Sequence, residues 1–472
     1  MTKNTEVKLS IIKGDKLFNE NTPFVINIFS PESKKMEKNS NADLICVIDI
    51  SGSMEGAKIE LVKKSLKILV KLMDKNDRLA LVLFNDSGEL FLDLNYLTKE
   101  MQNFYNNKID EIKASGGTYI ITGLEIAINI MEKDADINKS NRACSILLLS
   151  DGCDNLLNEF EIGQRLKNLT KGKNLNFTLN AFGYGSDHDP LILKRLASIR
   201  DGSFFYVEEY KKVAEYFGIV LGTCVSVLSN KASLVVELLN KKCEIKKIFG
   251  EDYLYSHEIQ PHFFNTTMLH FISGKEFTYV LEFEIKINDV KIGEDLLAVD
   301  FIYQDEENNF CKKSAIYKYC LTDINYAKAN EEYIRSQVYS VIDQSLKLRN
   351  NYKVYEANKS LNEMKTWLIN NSNAGKNKKQ YKLFLDDINQ ALKSYNSGIE
   401  IQKSDVARIS NRVIENSKKN FSSERRMYSN HNQEYYSSSS RKMMYRSEIN
   451  NEKYNYKNDK KKNTNNKNCF IF

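Results

Sequence analysis

The string Asp49-Ile50-Ser51-Gly52-Ser53-Met54 places one carboxylate and two hydroxyls within five residues. Hard cations such as Mg²⁺ take oxygen ligands and keep part of their water, so three oxygens on one short turn could supply half an octahedron. Gly52 allows that turn to be tight. Two further oxygen-bearing side chains stand where later loops could bring them: Thr118 in Ser115-Gly116-Gly117-Thr118, and Asp151 in Leu148-Leu149-Ser150-Asp151-Gly152. Neutral hydroxyls dominate this set, so two aspartates at most offset the charge of a bound ion. Such an ion stays electrophilic and can accept a carboxylate from the Asp or Glu of a protein partner. A metal hydrolase would need a poised general base, and His188, His257, His262 and His270 form no recognisable set with the Asp49 turn. For His188 a surface or capping role is expected.

The elements that must position these residues are legible from periodicity. Residues 42–50 (ADLICVIDI) read as a buried strand ending at Ser51-Gly52, and Ile59, Val62, Leu66, Leu69, Val70 and Met73 recur at helical spacing after it. Apolar strands are expected at 78–86, 145–152, 176–185 and 202–209. Helices are expected after Gly117, where Leu124, Ile128 and Met131 share a face, and from Asp189 to Ile199. Strands apolar throughout, alternating with helices, indicate an α/β fold with a doubly wound, mostly parallel sheet covered on both faces. In such sheets ligands bind at the carboxyl ends of strands, near the switch in strand order.

This ordered set resembles the metal-ion-dependent adhesion site of the von Willebrand factor A family, whose pattern is D-x-S-x-S followed by a distant Thr and a distant Asp. The resemblance spans roughly residues 41–224 and includes Phe182-Gly183-Tyr184-Gly185 and the strand before the final helix. It implies a Rossmann-like domain that binds proteins. It also implies that Asp49, Ser51, Ser53, Thr118 and Asp151 hold Mg²⁺ (or Mn²⁺/Ca²⁺), some of the aspartates through water. Plant RING-type ubiquitin ligases have a similar A domain followed by β-rich and helical regions, but this chain has no RING cysteine pattern. The competing reading is a phosphoryl-transfer or hydrolytic metal enzyme using Asp49, since an Asp after a buried strand can act as nucleophile. Haloacid-dehalogenase-like enzymes want a second Asp where Ser51 stands, and no Walker A loop is present.

The flanks differ from this core. Residues 1–40 and 225–325 alternate in strand fashion, as in FTYVLEFEIKI, and are expected to pair into one antiparallel β-sandwich with the α/β domain inserted between them. Residues 326–400 read as a small antiparallel helical unit, with Trp367 filling its core. Residues 401–472, rich in Asn, Ser, Lys and Tyr, are expected to be disordered.

Composition sets the remaining bounds. At 472 residues the chain exceeds one ordinary core. Residues 401–472 hold 16 Lys/Arg against 7 Asp/Glu, so the tail alone carries +9, more than the whole chain's +6, and the rest is mildly acidic at −3. That is not the footprint of a specific nucleic-acid-binding domain. The eight cysteines include no C-x-x-C pair, which excludes zinc fingers and thioredoxin-like sites. The opening MTKNTEVKLS has no apolar h-region, so a cytoplasmic setting is the expectation. Cys469-Phe470-Ile471-Phe472 is similar to a C-a-a-X prenylation box, with Lys457, Lys460, Lys461, Lys462 and Lys467 upstream as a second signal for an anionic membrane surface.

Overall fold

The computed structural model describes residues 6–443 apart from 33–37, 138–141, 186–187, 208–209, 251–253, 306, 308, 372–377, 397–400 and 418–428. Strands β1 (Lys8–Lys13) and β2 (Thr22–Phe29) come first. Next come β3 (Asn41–Asp49), α1 (Ala57–Leu72), β4 (Arg78–Phe84), β5 (Gly88–Tyr96), α2 (Lys99–Glu111) and α3 (Ile120–Lys133). The same unit continues with β6 (Arg142–Ser150), α4 (Glu159–Thr170), β7 (Phe177–Tyr184), α5 (Pro190–Ile199), β8 (Phe204–Val207) and α6 (Tyr210–Cys224).

These elements build a six-stranded sheet of order β5-β4-β3-β6-β7-β8. All neighbours are parallel except β5, which runs antiparallel to β4 at the edge. The apolar runs are explained by burial from both sides. Ile45 and Val47 face α3, α4 and α5, whereas Leu44, Cys46 and Ile48 face α1, α2 and α6. Because β3 pairs with β4 on one side and β6 on the other, the order reverses at β3, and the switch point lies at the carboxyl ends of β3 and β6. At the opposite end of β3, buried Asp43 accepts two bonds from Arg78 (2.8 and 2.7 Å) and further bonds from Arg142 (2.5–2.9 Å), locking three strands in register. The sequence reading leaves residues 88–111 unassigned; the structure fills them with β5 and α2. The largely exposed outer strand β5 lacks the apolar run that marks the inner ones.

The C-terminal strands are β9 (Val227–Ser229), β10 (Ala232–Leu238), β11 (Glu244–Ile248), β12 (Ser256–Gln260), β13 (Phe263–Met268), β14 (Phe271–Ile272), β15 (Glu276–Glu284), β16 (Asp295–Gln304) and β17 (Phe310–Lys318). One sheet has the order β1-β2-β15-β11 and the other β12-β13-β10-β16-β17. The N-terminal strand β2 therefore sits inside a sheet completed more than two hundred residues later, in register from Thr22↔Phe283 to Phe29↔Glu276. Phe24, Ile26 and Ile28 pack with Leu281, Phe283, Val299 and Phe301 between the two sheets, making an antiparallel sandwich.

Helices α7 (Tyr326–Asn350), α8 (Val354–Asn370), α9 (Lys378–Tyr395) and α10 (Lys403–Ser417) follow. The expectation of disorder from residue 401 fails for α10, whose Val406, Ala407, Val413 and Ile414 are buried in the core shared with α5 and β8. It also fails for a helical segment at residues 431–443, hereafter α11, which docks on α6. Composition hid both helices because their buried faces are made partly of Ser and Asn, including Ser410, Asn432, Ser437 and Ser440. Trp367 packs against the helical core from its margin rather than at its centre. It is half-buried, with its ring centroid 4.3 Å from that of Phe18 in the β1–β2 connection. Cys469 and the lysines from 457 to 467 lie outside the described residues. Among the described residues no helix is long and apolar enough to cross a membrane.

Candidate metal centre

Strand β3 ends at Asp49, and the chain turns at once. Ser51 keeps an extended backbone (φ −64°, ψ 166°), Gly52–Met54 form a single 3₁₀ turn, and Gly56 at φ 79° redirects the chain into α1. The Asp49 Oδ1 accepts the Ser51 N–H at 2.9 Å, and the Ser51 and Ser53 hydroxyls stand 3.1 Å apart. Asp49 and Ser51 are buried, whereas Ser53 faces solvent.

A second loop is bonded along this turn. Ser115 N–H donates to the Ile50 carbonyl at 2.6 Å, and Gly52 N–H donates to the Gly116 carbonyl at 2.9 Å. Gly116, at φ 87°, lies so close to the Asp86 carboxylate that a Cβ there would clash, which explains this glycine. Gly117 N–H bonds the same carboxylate at 3.0 Å. Thr118 follows, buried, and is clamped in both directions by Asn155: its N–H donates to Asn155 Oδ1 at 2.6 Å, and its carbonyl accepts the Asn155 N–H at 2.9 Å.

The third loop leaves the end of β6. Ser150 donates its hydroxyl to Asp49 Oδ2 at 2.6 Å. Asp151 is buried beside it, with Oδ2 3.1 Å from the Lys58 ammonium in the first turn of α1. Its carbonyl accepts the Asp189 N–H at 2.8 Å. Five residues scattered over a hundred positions thus stand on three loops that hydrogen-bond one another at the switch point of the sheet.

The electrostatics of this cluster favour a cation. Burial pushes the Asp49 carboxyl up to about 6, neighbouring Asp151 adds to the rise, and the Ser150 and Ser51 donors oppose it. The described donors to Asp49 are all neutral, and Lys58 contacts Asp151. Asp49 is thus a buried carboxylate with no described cation against it, and a buried charge needs a partner. A divalent ion among these hydroxyls and carboxylates would supply it, so the residues present fit a hard metal. Among the described residues no group of three or more His, Cys, Asp or Glu side chains is placed to hold a metal, so this hydroxyl-rich set is of a different kind.

Sequence reasoning missed Ser150, Lys58, Asp86 and Asn155. The signal for Ser150 and Asp86 was their position beside a strand end; nothing local marks Lys58 or Asn155. The surface or capping role expected of His188 is also corrected. Its ring is fully buried, stacks on Tyr206 at 5.0 Å between centroids, and places Nδ1 2.7 Å from the Gly185 carbonyl. Gly183 leaves the space for that ring, and Asp189 takes the capping role, accepting the Leu191 N–H at 2.9 Å.

Comparisons with known proteins bear on the fold that carries these loops. Residues 43–218 match the family model described as von Willebrand factor type A domain. An uncharacterized protein, sll0103, of Synechocystis sp. is 28% identical over 199 residues, covering 42% of this chain and 44% of that protein. Inter-alpha-trypsin inhibitor heavy chain H2 of Sus scrofa is 31% identical over 183 residues, covering 38% of this chain and 19% of that protein. The chain therefore spans less than half the length of either relative. Among solved structures, a von Willebrand factor type A protein from Catenulispora acidiphila superposes with a TM-score of 0.64 at 14% identity, covering 88% of this chain and 97% of that one. The ArnB paralog VWA2 from Sulfolobus acidocaldarius gives a TM-score of 0.52 at 15% identity, with 86% and 97% covered. The shared fold thus extends beyond the central sheet into the flanking units.

Proposed function

Because the chain carries a von Willebrand factor type A domain at residues 43–218, we propose that it binds another protein through a divalent cation held by Asp49, Ser51, Ser53, Thr118 and Asp151. The observation that carries this reading is the direct bonding of the Asp49 turn to both other loops: Gly52 to Gly116, Ser115 to Ile50, and Ser150 to Asp49. Ser51, Ser53 and Thr118 would offer hydroxyls, and Asp49 and Asp151 carboxylates, directly or through water. Mg²⁺ suits such a set, and Mn²⁺ or Ca²⁺ could replace it. Bound there, the ion would supply a Lewis-acidic position that an Asp or Glu of the partner completes.

The chain's own residues prepare that position. Ser150 and the Ser51 N–H hold the Asp49 carboxylate in one orientation. Lys58 takes up part of the Asp151 charge, so the shell stays poor in negative charge. The exposed Ser53 marks the open side from which a partner arrives.

The test is partner capture from native lysate in Mg²⁺ and in EDTA, repeated with Asp49→Ala. Capture should vanish in EDTA and in the variant while circular dichroism is unchanged. Capture indifferent to both would sink the reading, and turnover of a phosphorylated substrate lost in Asp49→Ala would favour phosphoryl transfer instead. The Lys-rich stretch from Lys453 to Lys467 supports a second contact, with an anionic membrane surface. Salt-sensitive sedimentation with phosphatidylserine vesicles tests it.

A further inference from the structure

The metal loop runs directly into a groove on its flank. The Asp151 carbonyl holds the Asp189 N–H, and Asp189 caps α5, so Pro190 and Leu191 open that helix within two residues of the Asp151 contact. Leu191 and Phe160, at the start of α4, line a groove of about 300 Å³ between α4, α5 and α7. Phe160 is 62% exposed although its backbone is pinned by the capping box of Asn158 and Glu161. Leu156 is 70% exposed and follows Asn155, the residue clamped to Thr118. Single exposed apolar side chains are ordinary. Two bulky ones, held by fixed backbone on the segment that follows Asp151 and next to a groove, mark a contact surface.

The charges of the groove lean towards an acidic occupant. Lys194, Arg195 and Lys347 contribute three cations to the walls, against Glu159 and Asp343. Asp343 lies between two of those cations, 2.7 Å from the Lys194 ammonium and 3.2 Å from that of Lys347. The net charge of the groove is positive, and it adjoins a site that itself calls for a carboxylate. Both features select an acidic partner, and Phe160 with Leu191 selects an apolar side chain within it.

We propose that this groove receives a bulky apolar side chain of the same acidic peptide segment whose Asp or Glu reaches the candidate cation, an inference that rests on the metal-site reading above. The ion supplies the acidic requirement, and the Phe160–Leu191 groove adds specificity through a residue a few positions away. Binding energy at such interfaces concentrates in a few buried aromatic anchors, and Phe160 is placed to be one.

The test uses the full chain and a phage-displayed library of random peptides, panned in Mg²⁺ and eluted with EDTA. Eluted peptides should carry Asp or Glu at a fixed spacing from a large apolar residue. Phe160→Ser should weaken them at least about tenfold, and Arg195→Glu should weaken them with a flatter salt dependence, while Mn²⁺ affinity stays that of the wild type. EDTA-eluted peptides that lack the apolar residue, or that bind Phe160→Ser as tightly as wild type, overturn the groove and leave the metal reading intact. Retention indifferent to EDTA, or no retention in Mg²⁺ or Mn²⁺, overturns the metal reading and this inference with it.

Discussion

The Ser150 hydroxyl donates to Asp49 Oδ2 across 2.6 Å while accepting the Gly152 N–H at 2.8 Å, so one buried side chain ties the ends of β6 and β3 together. Ser150→Ala leaves a buried carboxylate oxygen without this donor, a cost of about 1–3 kcal/mol. It also frees Asp49 to rotate, and changes of this outer-shell kind weaken metal binding by roughly tenfold or more. Isothermal titration with Mn²⁺ checks this; an unchanged affinity would remove Ser150 from the site.

Asp49→Asn keeps the shape of the side chain and removes one of two buried negative charges. In EDTA the variant should melt at or above the wild-type temperature, because its buried site is better compensated. In Mg²⁺ the order should reverse: a ligand at a hundred times its Kd adds about 2.7 kcal/mol, and only the wild type would gain it. Equal stabilisation of both proteins by Mg²⁺ would exclude Asp49 from the donor set.

Asp43 sits buried between Arg78 and Arg142 at the far end of the sheet. Asp43→Ala removes the carboxylate that both guanidinium groups share, leaving Arg78 with Asp134 and Arg142 with the Asn76 carbonyl, and breaking such a buried group from one side costs about 3–5 kcal/mol. Urea unfolding should show this loss, with Mn²⁺ affinity preserved wherever the variant is folded. A loss below about 1 kcal/mol would mean that water reaches the arginines.

His270 gives stability a pH dependence whose sign follows from its surroundings. Burial pulls its imidazole down to about 4, with nearby Asp201 opposing and Arg200 assisting. In the unfolded chain the ring takes its proton near 6.5, so between about 6.5 and 4 the unfolded state binds more protons. The contribution is complete above that window and is lost as the pH falls through it, by up to roughly 3 kcal/mol. Urea unfolding at pH 7 and pH 5 should show a smaller difference for His270→Leu than for wild type; equal differences would refute the assignment.

Gly218 and Gly222 of α6 make the seat of α11. A Cβ at Gly218 would lie 2.6 Å from the Tyr436 carbonyl oxygen, and one at Gly222 2.6 Å from the Gln433 Cα. Gly218→Leu should therefore unseat residues 431–443 while leaving α6 helical, since leucine favours helix over glycine. Hydrogen exchange should accelerate across 431–443 and not across β3 or β6. Unchanged protection of that segment would show that α11 is held some other way.

The site illustrates how far local pattern reaches. That Asp49, Ser51 and Ser53 share one turn was readable because they follow an apolar strand, and that Thr118 and Asp151 stand on neighbouring loops because each lies where a loop meets a periodic element. Ser150, Lys58 and Asn155 were not readable, because each matters only through a neighbour from a distant loop. His188 shows the converse: its loop composition indicated the surface, yet Gly183 and the β8 aromatics open a buried slot for the ring.

The chain's own residue pattern determined the α/β class, the parallel sheet and the position of the Asp49 turn, because burial on both faces of a strand and on one face of a helix imposes periods that any reader can count. Tertiary structure alone decided that, within the expected sandwich, β2 takes β1 and β15 as neighbours, that the Ser- and Asn-rich α10 and α11 dock, and that Lys58 meets Asp151. Those outcomes depend on which surfaces fit one another. A polar helix is ordered only when a matching seat, here the glycine notch of α6, stabilises it enough to offset the entropy of its chain.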